Sequence, residues 1–199
     1  MNTINEVYEY SQTIKKSEFI CTLIPVNSLD KVNEALRNIR KKYYDATHNC
    51  YSYIVCDSEG VEHIKASDDG EPSQTAGVVI LDVLKKKELT NVLAVVTRYF
   101  GGIKLGAGGL VRAYSSSTSE ACKIANIVPI IKYSNVKLSF AYEYTNDVLK
   151  ECKDYEVIDQ SFTTFVSYTY VVPESSVTSL KEKLVNLTKN SIAIEIINK

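Results

Sequence analysis

Five of the chain's eight glycines fall between Gly101 and Gly109, directly behind the run NVLAVVTRYF. No other feature constrains the fold as tightly. Residues 91–100 are continuous, β-branched and aromatic, which is strand composition. Gly101-Gly102 then reads as a tight turn, and Gly106, Gly108 and Gly109 sit where the chain enters a helix over about 109–125. Amides facing outward at a helix start can hold a phosphate or a carboxylate. Arg98, Lys104 and Arg112 flank the stretch, and each can supply a phosphate contact. No GK[ST] closes it as a Walker A loop, and GIKLGAGG has the wrong spacing for GxGxxG. The alternative is that the glycines only bend the chain and pack helix against sheet. The residues alone leave both readings open.

The remaining elements follow from periodicity. Val7 to Ile24 reads as one or two strands, and Asn27-Ser28 caps a helix over 28–43 with Leu29, Val32, Ala35, Leu36 and Ile39 on one stripe. THNCYSYIVC predicts a strand from Thr47 to Cys56, and a short strand follows near Val61 to Ala66. VVILDVLKKK resumes as a helix, with Ser73 or Thr75 as its cap. Pro129 marks a boundary. Beyond it the order is strand 133–141, helix 144–153, strand 155–161, strand 164–172, helix 174–189 and strand 191–197. That βαββαβ order is the split ferredoxin-like arrangement. The expectation is an α+β protein of two domains, 1–130 and 131–199.

Charge excludes a general polyanion binder. Lys plus Arg is 23 against Asp plus Glu at 24, so any RNA contact has to be a local patch. Lys15-Lys16, Arg40-Lys41-Lys42 and Lys85-Lys86-Lys87 read as solvated ends of elements, unless the fold carries them to Arg98 and Lys104. Five cysteines without a CxxC pair argue against a disulfide framework or a thiolate zinc cage, and read as buried thiols in a reducing compartment. No signal peptide and no run of eighteen apolar residues is present, so a cytoplasmic protein without membrane contact is expected. No cofactor motif and no metal-ligand set is read.

A second unusual segment is SDDGEPSQTAG, with carboxylates at Asp68, Asp69 and Glu71. These could ligate a hard cation or serve as acid and base, but Asp69-Gly70 is also an ordinary turn and Glu71-Pro72 favours extended backbone. His48 and Cys50 alternate along a strand and face one side, the arrangement of a thiol beside an imidazole. His63 sits in an ordinary strand.

KSEFI at 16–20, ATHNCYSY at 46–53, SDDGEPSQTAG at 67–77 and VVTRYFGGIKLGAGGLVRAY at 95–114 together resemble the YigZ/IMPACT family. The family signature falls on His48, Asp68, Asp69, Gly70, Glu71, Pro72, Thr75, Ala76, Gly77, Arg98, Tyr99, Gly101, Gly102, Leu105, Gly106, Gly108, Gly109 and Leu110. Two positions depart from it: Gln74 stands where the family has glycine, and Ala107 where threonine is commoner. If that glycine sits at positive φ, Gln74 carries backbone strain there. The resemblance implies a first domain similar to ribosomal protein S5 domain 2 and a second similar to domain V of the translocation factor EF-G. It also implies contact with structured RNA or the ribosome, a protein partner in the translation machinery and a role in translational regulation.

On that reading Arg98, Lys104 and Arg112 pair with phosphates, Gly101, Gly102, Gly106, Gly108 and Gly109 allow close approach, and Tyr99 stacks on a base. Two alternatives remain. One is an enzyme acting on a small phosphorylated or carboxylated ligand, with His48 and residues 68–71 in one cleft. The other is a protein-interaction module docking through the acidic DDGEP turn.

Overall fold

The structure is a computed structural model and describes residues 1–57 and 59–197. It divides into two compact units, Met1–Ile130 and Ile131–Lys199.

The first unit is built on five antiparallel strands: β2 (Tyr8–Ile14), β3 (Ser17–Pro25), β4 (His48–Cys56), β5 (Glu62–Ser67) and β6 (Val92–Tyr99). Their order is β2-β3-β6-β4-β5. Helix α1 (Leu29–Lys42) covers one face, where Val32, Leu36 and Ile39 meet Ile20, Tyr51, Val55, Leu93 and Val95. Helices α2 (Gly77–Lys86) and α3 (Ala107–Ile124) cover the other, over Phe19, Cys21, Leu23, Cys50, Ile54, Ala94 and Val96. Both faces of β6 are therefore dry, which is why its sequence is an unbroken apolar run rather than an alternation. A small pair, β1 (Asn2–Ile4) with β7 (Ile127–Pro129), joins the two ends of this unit, and the sequence pattern does not announce it. Strands of three residues are too short for periodicity to register.

Ser28 caps α1, as its sequence suggests, its hydroxyl accepting from Lys31 N. Helix α3 begins at Ala107, two residues earlier than its apolar stripe indicates, so Gly108 and Gly109 lie inside its first turn. No helix among the described residues is long and apolar enough to cross a membrane. Cys21, Cys50, Cys122 and Cys152 are buried free thiols.

The second unit has four antiparallel strands, β8 (Tyr133–Phe140), β9 (Glu156–Phe162), β10 (Val166–Pro173) and β11 (Ala193–Ile197), in the order β11-β8-β10-β9. Helices α4 (Thr145–Glu151), preceded by a 3₁₀ turn at Tyr142–Tyr144, and α5 (Glu174–Leu187) complete it. Val136, Leu138, Phe140, Val166, Tyr168, Tyr170 and Val172 alternate inward from β8 and β10 to meet Val148, Leu180 and Leu184 of the helices.

Candidate functional site

Antiparallel pairing sends alternate connections to the same end of a sheet. In the first unit it gathers four segments there: the β2–β3 turn, the entry to β4, the segment after β5 and the segment after β6. Between the last three lies a cleft of about 420 Å³, walled by His48, Glu71, Pro72, Arg98, Phe100 and Lys104 and by the start of α3. Glu71 and Pro72 of the acidic segment and Lys104 to Ala107 of the glycine stretch thus meet at one opening.

The floor of the cleft is a buried ion pair. Arg98 and His48 are register partners on β6 and β4 and face the α2/α3 side together. Arg98 is only 5% exposed, and its Nη1 donates to Glu71 Oε1 at 2.5 Å. Its Nη2 donates to Ser17 Oγ, and its guanidinium carbon lies 5.4 Å from the ring centroids of both Phe19 and Phe100. Its Nε is buried without a hydrogen-bond partner. The same Glu71 oxygen accepts from the Tyr114 hydroxyl at 2.8 Å. Arg98 was expected to reach phosphate from the rim. It lies in the floor instead, neutralised by Glu71, because β6 buries every even-numbered side chain beneath α2 and α3.

The acidic segment is held together by its own carboxylates. Asp68 Oδ1 accepts from Ala76 N and Gly77 N at 3.0 and 2.7 Å, and Oδ2 accepts from Gln74 N at 2.9 Å. This caps α2 from eight residues away, the role that sequence assigned to Ser73 or Thr75. Thr75 instead donates its hydroxyl to Pro72 O, at 2.6 Å. Asp69 sits at φ 43° and accepts from Asn49 N at 2.6 Å. Gly70, at φ 89°, passes the His48 ring with room for no more than van der Waals contact. Gln74 is at φ 63°, so the residue that replaces the family's glycine does occupy left-handed backbone.

His48 Nδ1 lies 2.8 Å from Asp69 O. A carbonyl only accepts, so Nδ1 carries a proton, and in the neutral ring Nε2 is then the acceptor. Nε2 stands 4.0 Å from Glu71 Oε2. Cys50 does share the face of His48, but its thiol donates to Asp68 O at 2.9 Å and lies 3.3 Å from the Tyr114 hydroxyl. Burial pushes the Cys50 thiol up to about 12, so it is no activated nucleophile.

The glycine segment is built the opposite way. Gly101 is the one point where it is pressed onto the fold, since a Cβ there would come within 1.8 Å of Lys16 O. That contact brings the β2–β3 turn alongside, where Lys15 and Lys16 sit at φ 45° and 67° in the mirror-image turn that suits a two-residue hairpin. Gly102 and Gly106 are at positive φ with open space around them, and Gly106 heads α3 without a side chain to cap it. The first intrahelical bond is Leu110 N to Gly106 O, leaving the amides of Ala107, Gly108 and Gly109 without acceptors among the described residues.

Lys15 and Arg112 line a second depression against the same helix start, with Leu105 and Gly109 between it and the cleft. Lys15, Lys16, Lys104 and Arg112 are all exposed, and none is ion-paired among the described residues. Of the three basic clusters in the sequence, the fold brings the Lys15-Lys16 turn to this rim, and from the second it brings Arg40 to within 3.9 Å of Asp69.

Tyr99 does not belong to this group. It faces the α1 side of the sheet and donates its hydroxyl to Asp45 at 2.8 Å. The exposed ring beside the cleft is Phe100, at 46% exposure, with Ile103 next to it. Strand alternation could have found this, because Arg98 and Phe100 share a parity that Tyr99 lacks.

The family profile described as "Impact N-terminal domain" matches residues 15–122, which span the whole of this site. The chain belongs to the IMPACT family. It is 37% identical over 195 residues to the IMPACT family member YvyE of Bacillus subtilis, covering 97% of this chain and 89% of that one. It is 29% identical over 189 residues to the IMPACT family member YigZ of Escherichia coli, covering 92% and 91%. A crystal structure titled only as that of a hypothetical protein superposes with a TM-score of 0.66 at 26% identity, over 100% of this chain and 97% of the other. The likeness to these IMPACT proteins runs through both units.

Proposed function

We propose that this IMPACT protein binds structured RNA, on the ribosome, through the sheet end where the glycine segment lies, and acts in translation or its regulation. One observation carries the reading: Lys15, Lys104 and Arg112, exposed and without ionic partners among the described residues, line the two depressions at the uncapped start of α3, with Lys16 beside Gly101 next to them. Side-chain cations and helix-start amides are the two groups that phosphates seek in a protein surface. The patch is local, as the near-neutral whole-chain charge of -1 demands.

The architecture supports the same reading. The strand order β11-β8-β10-β9, with the order βαββαβ along the chain, fits a ferredoxin-like second unit similar to EF-G domain V. The first unit is read as similar to ribosomal protein S5 domain 2. Both are modules of ribosome-binding proteins, and a cytoplasmic location follows from that role. The enclosure of His48 and Glu71 in a cleft also favours a small phosphorylated ligand at the same site. The acidic docking reading loses ground, since Asp68 and Glu71 turn their carboxylates onto the protein's own donors.

Co-sedimentation with ribosomes at low and high salt, with crosslinking to identify the RNA, tests the proposal. Three or four neutralised phosphates give a log–log salt slope of roughly -2 to -3.5. Lys104→Glu together with Arg112→Glu should abolish the association. Wild-type association by that double variant would overturn the reading.

A further inference from the structure

Two unmet demands face each other in the cleft. Glu71 Oε1 takes both the Arg98 and the Tyr114 hydrogen bonds, while Oε2 accepts none from the described residues. His48 Nε2, the acceptor nitrogen of the neutral ring that donates Nδ1–H to Asp69 O, stands 4.0 Å from that oxygen. Two acceptors at this separation are held apart by nothing of the protein's own. They call for a donor between them, and a ligand hydroxyl there can share its one hydrogen between the two.

The opposite demand comes from Arg98 and α3. Arg98 lines the cleft with its side chain 6% exposed and its Nε–H lacking any acceptor. The α3 amides are open, and Lys104 stands over the same cleft. The amides and Lys104 call for an anion, and the Arg98 Nε–H calls for an acceptor. Between the two demands the walls are apolar and partly flat, formed by Pro72, Phe100, Leu105 and Leu110. The volume of about 420 Å³ lies in the range of small-molecule sites.

A molecule with a phosphate at one end, a hydroxyl at the other and a flat body between them answers all three. Resting on the RNA-binding reading above, we infer that the cleft takes one unpaired ribonucleotide. Its phosphate lies at the start of α3 beside Lys104, its base lies against Phe100, and the ribose 2′-hydroxyl donates between His48 Nε2 and Glu71 Oε2. His48 thereby distinguishes RNA from DNA, because the deoxy sugar lacks the donor. The base is taken out of its stack, so a duplex is excluded from the cleft and meets only the basic rim.

The test uses fluorescence anisotropy with the full chain and a 5′-phosphorylated single-stranded hexaribonucleotide, its deoxyribo counterpart and a hexamer duplex. The ribo strand should bind about tenfold more tightly than the deoxy strand, the effect of one charge-assisted hydrogen bond. His48→Asn keeps a donor for Asp69 O but removes the Nε2 acceptor, so it should bring the ratio of ribo to deoxy affinity down to about one. Thermal melting confirms that this variant is folded. Phe100→Ala, at an exposed position, should weaken both strands alike.

Equal ribo and deoxy affinities in the wild type would overturn the inference, as would a folded His48→Asn variant that keeps the preference. Either result leaves the RNA-binding reading standing. Free adenosine 5′-monophosphate, added as competitor, separates the sources: displacement means that the cleft accepts the nucleotide on its own, and sugar preference without displacement means that it is taken only within a chain. If neither strand nor duplex binds, the RNA-binding reading falls, and with it this inference.

Discussion

Across the cleft, the segment from Asp68 to Ala76 turns its carboxylates onto the protein's own donors, while the segment from Gly102 to Gly106 is open to its surroundings. Asp68 satisfies the first amides of α2, Asp69 holds Asn49, and Glu71 holds Arg98 and Tyr114. Across from them α3 starts on Gly106 with no cap, and Lys104 has no ionic partner among the described residues. Two helices therefore begin at the same end of one sheet, one closed by the protein and the other left open. The lesson is that a run of charged signature residues need not be the surface that meets a ligand. Here the acids position a site whose binding groups are backbone amides and lysines.

Substitution can break that contrast. The largest effect is expected for Glu71→Ala, which strands Arg98 as an unpaired buried charge and should cost about 3–5 kcal/mol in denaturant unfolding. Gly101→Ala should follow, at about 3 kcal/mol, because a Cβ placed 1.8 Å from Lys16 O forces the hairpin turn to move. Asp68→Ala uncaps α2 and leaves its amides without acceptors, for about 1–3 kcal/mol by the same measurement.

Gln74→Gly sharpens the comparison in the other direction. Glycine relieves left-handed backbone at φ 63° but gains freedom in the unfolded chain, so the net should be a stabilisation of about 0.5–1 kcal/mol, read as a small rise in the melting midpoint. Lys104→Glu should have the smallest effect on stability, within about 0.5 kcal/mol, while RNA affinity drops about tenfold. Equal stability losses in Glu71→Ala and Lys104→Glu would erase the distinction between the two segments.

Much of the fold was legible in the chain. The stripe of α1 and its Ser28 cap, the apolar run of β6 and the βαββαβ order after Pro129 all rest on short-range periodicity. The site was legible only in part. Residues 68–71 and 101–109 stood out by composition, and Glu71 meets part of the glycine stretch at one opening, but composition did not show that Arg98 is buried in its floor and that Tyr99 turns to the opposite face of the sheet. The β1–β7 pair escaped because its strands are too short to show a period.

Sequence by itself determined which segments form strands and helices, where glycine is needed and which family the site resembles, because these depend on residues within one or two turns of each other. Tertiary structure alone decided that Asp68 caps a helix whose first residue lies nine positions on, that Glu71 neutralises Arg98, and that the Lys15-Lys16 turn lies against Gly101. The reason is physical: burial and pairing depend on strand order, and strand order β2-β3-β6-β4-β5 places side chains from distant parts of the chain within a hydrogen bond's reach.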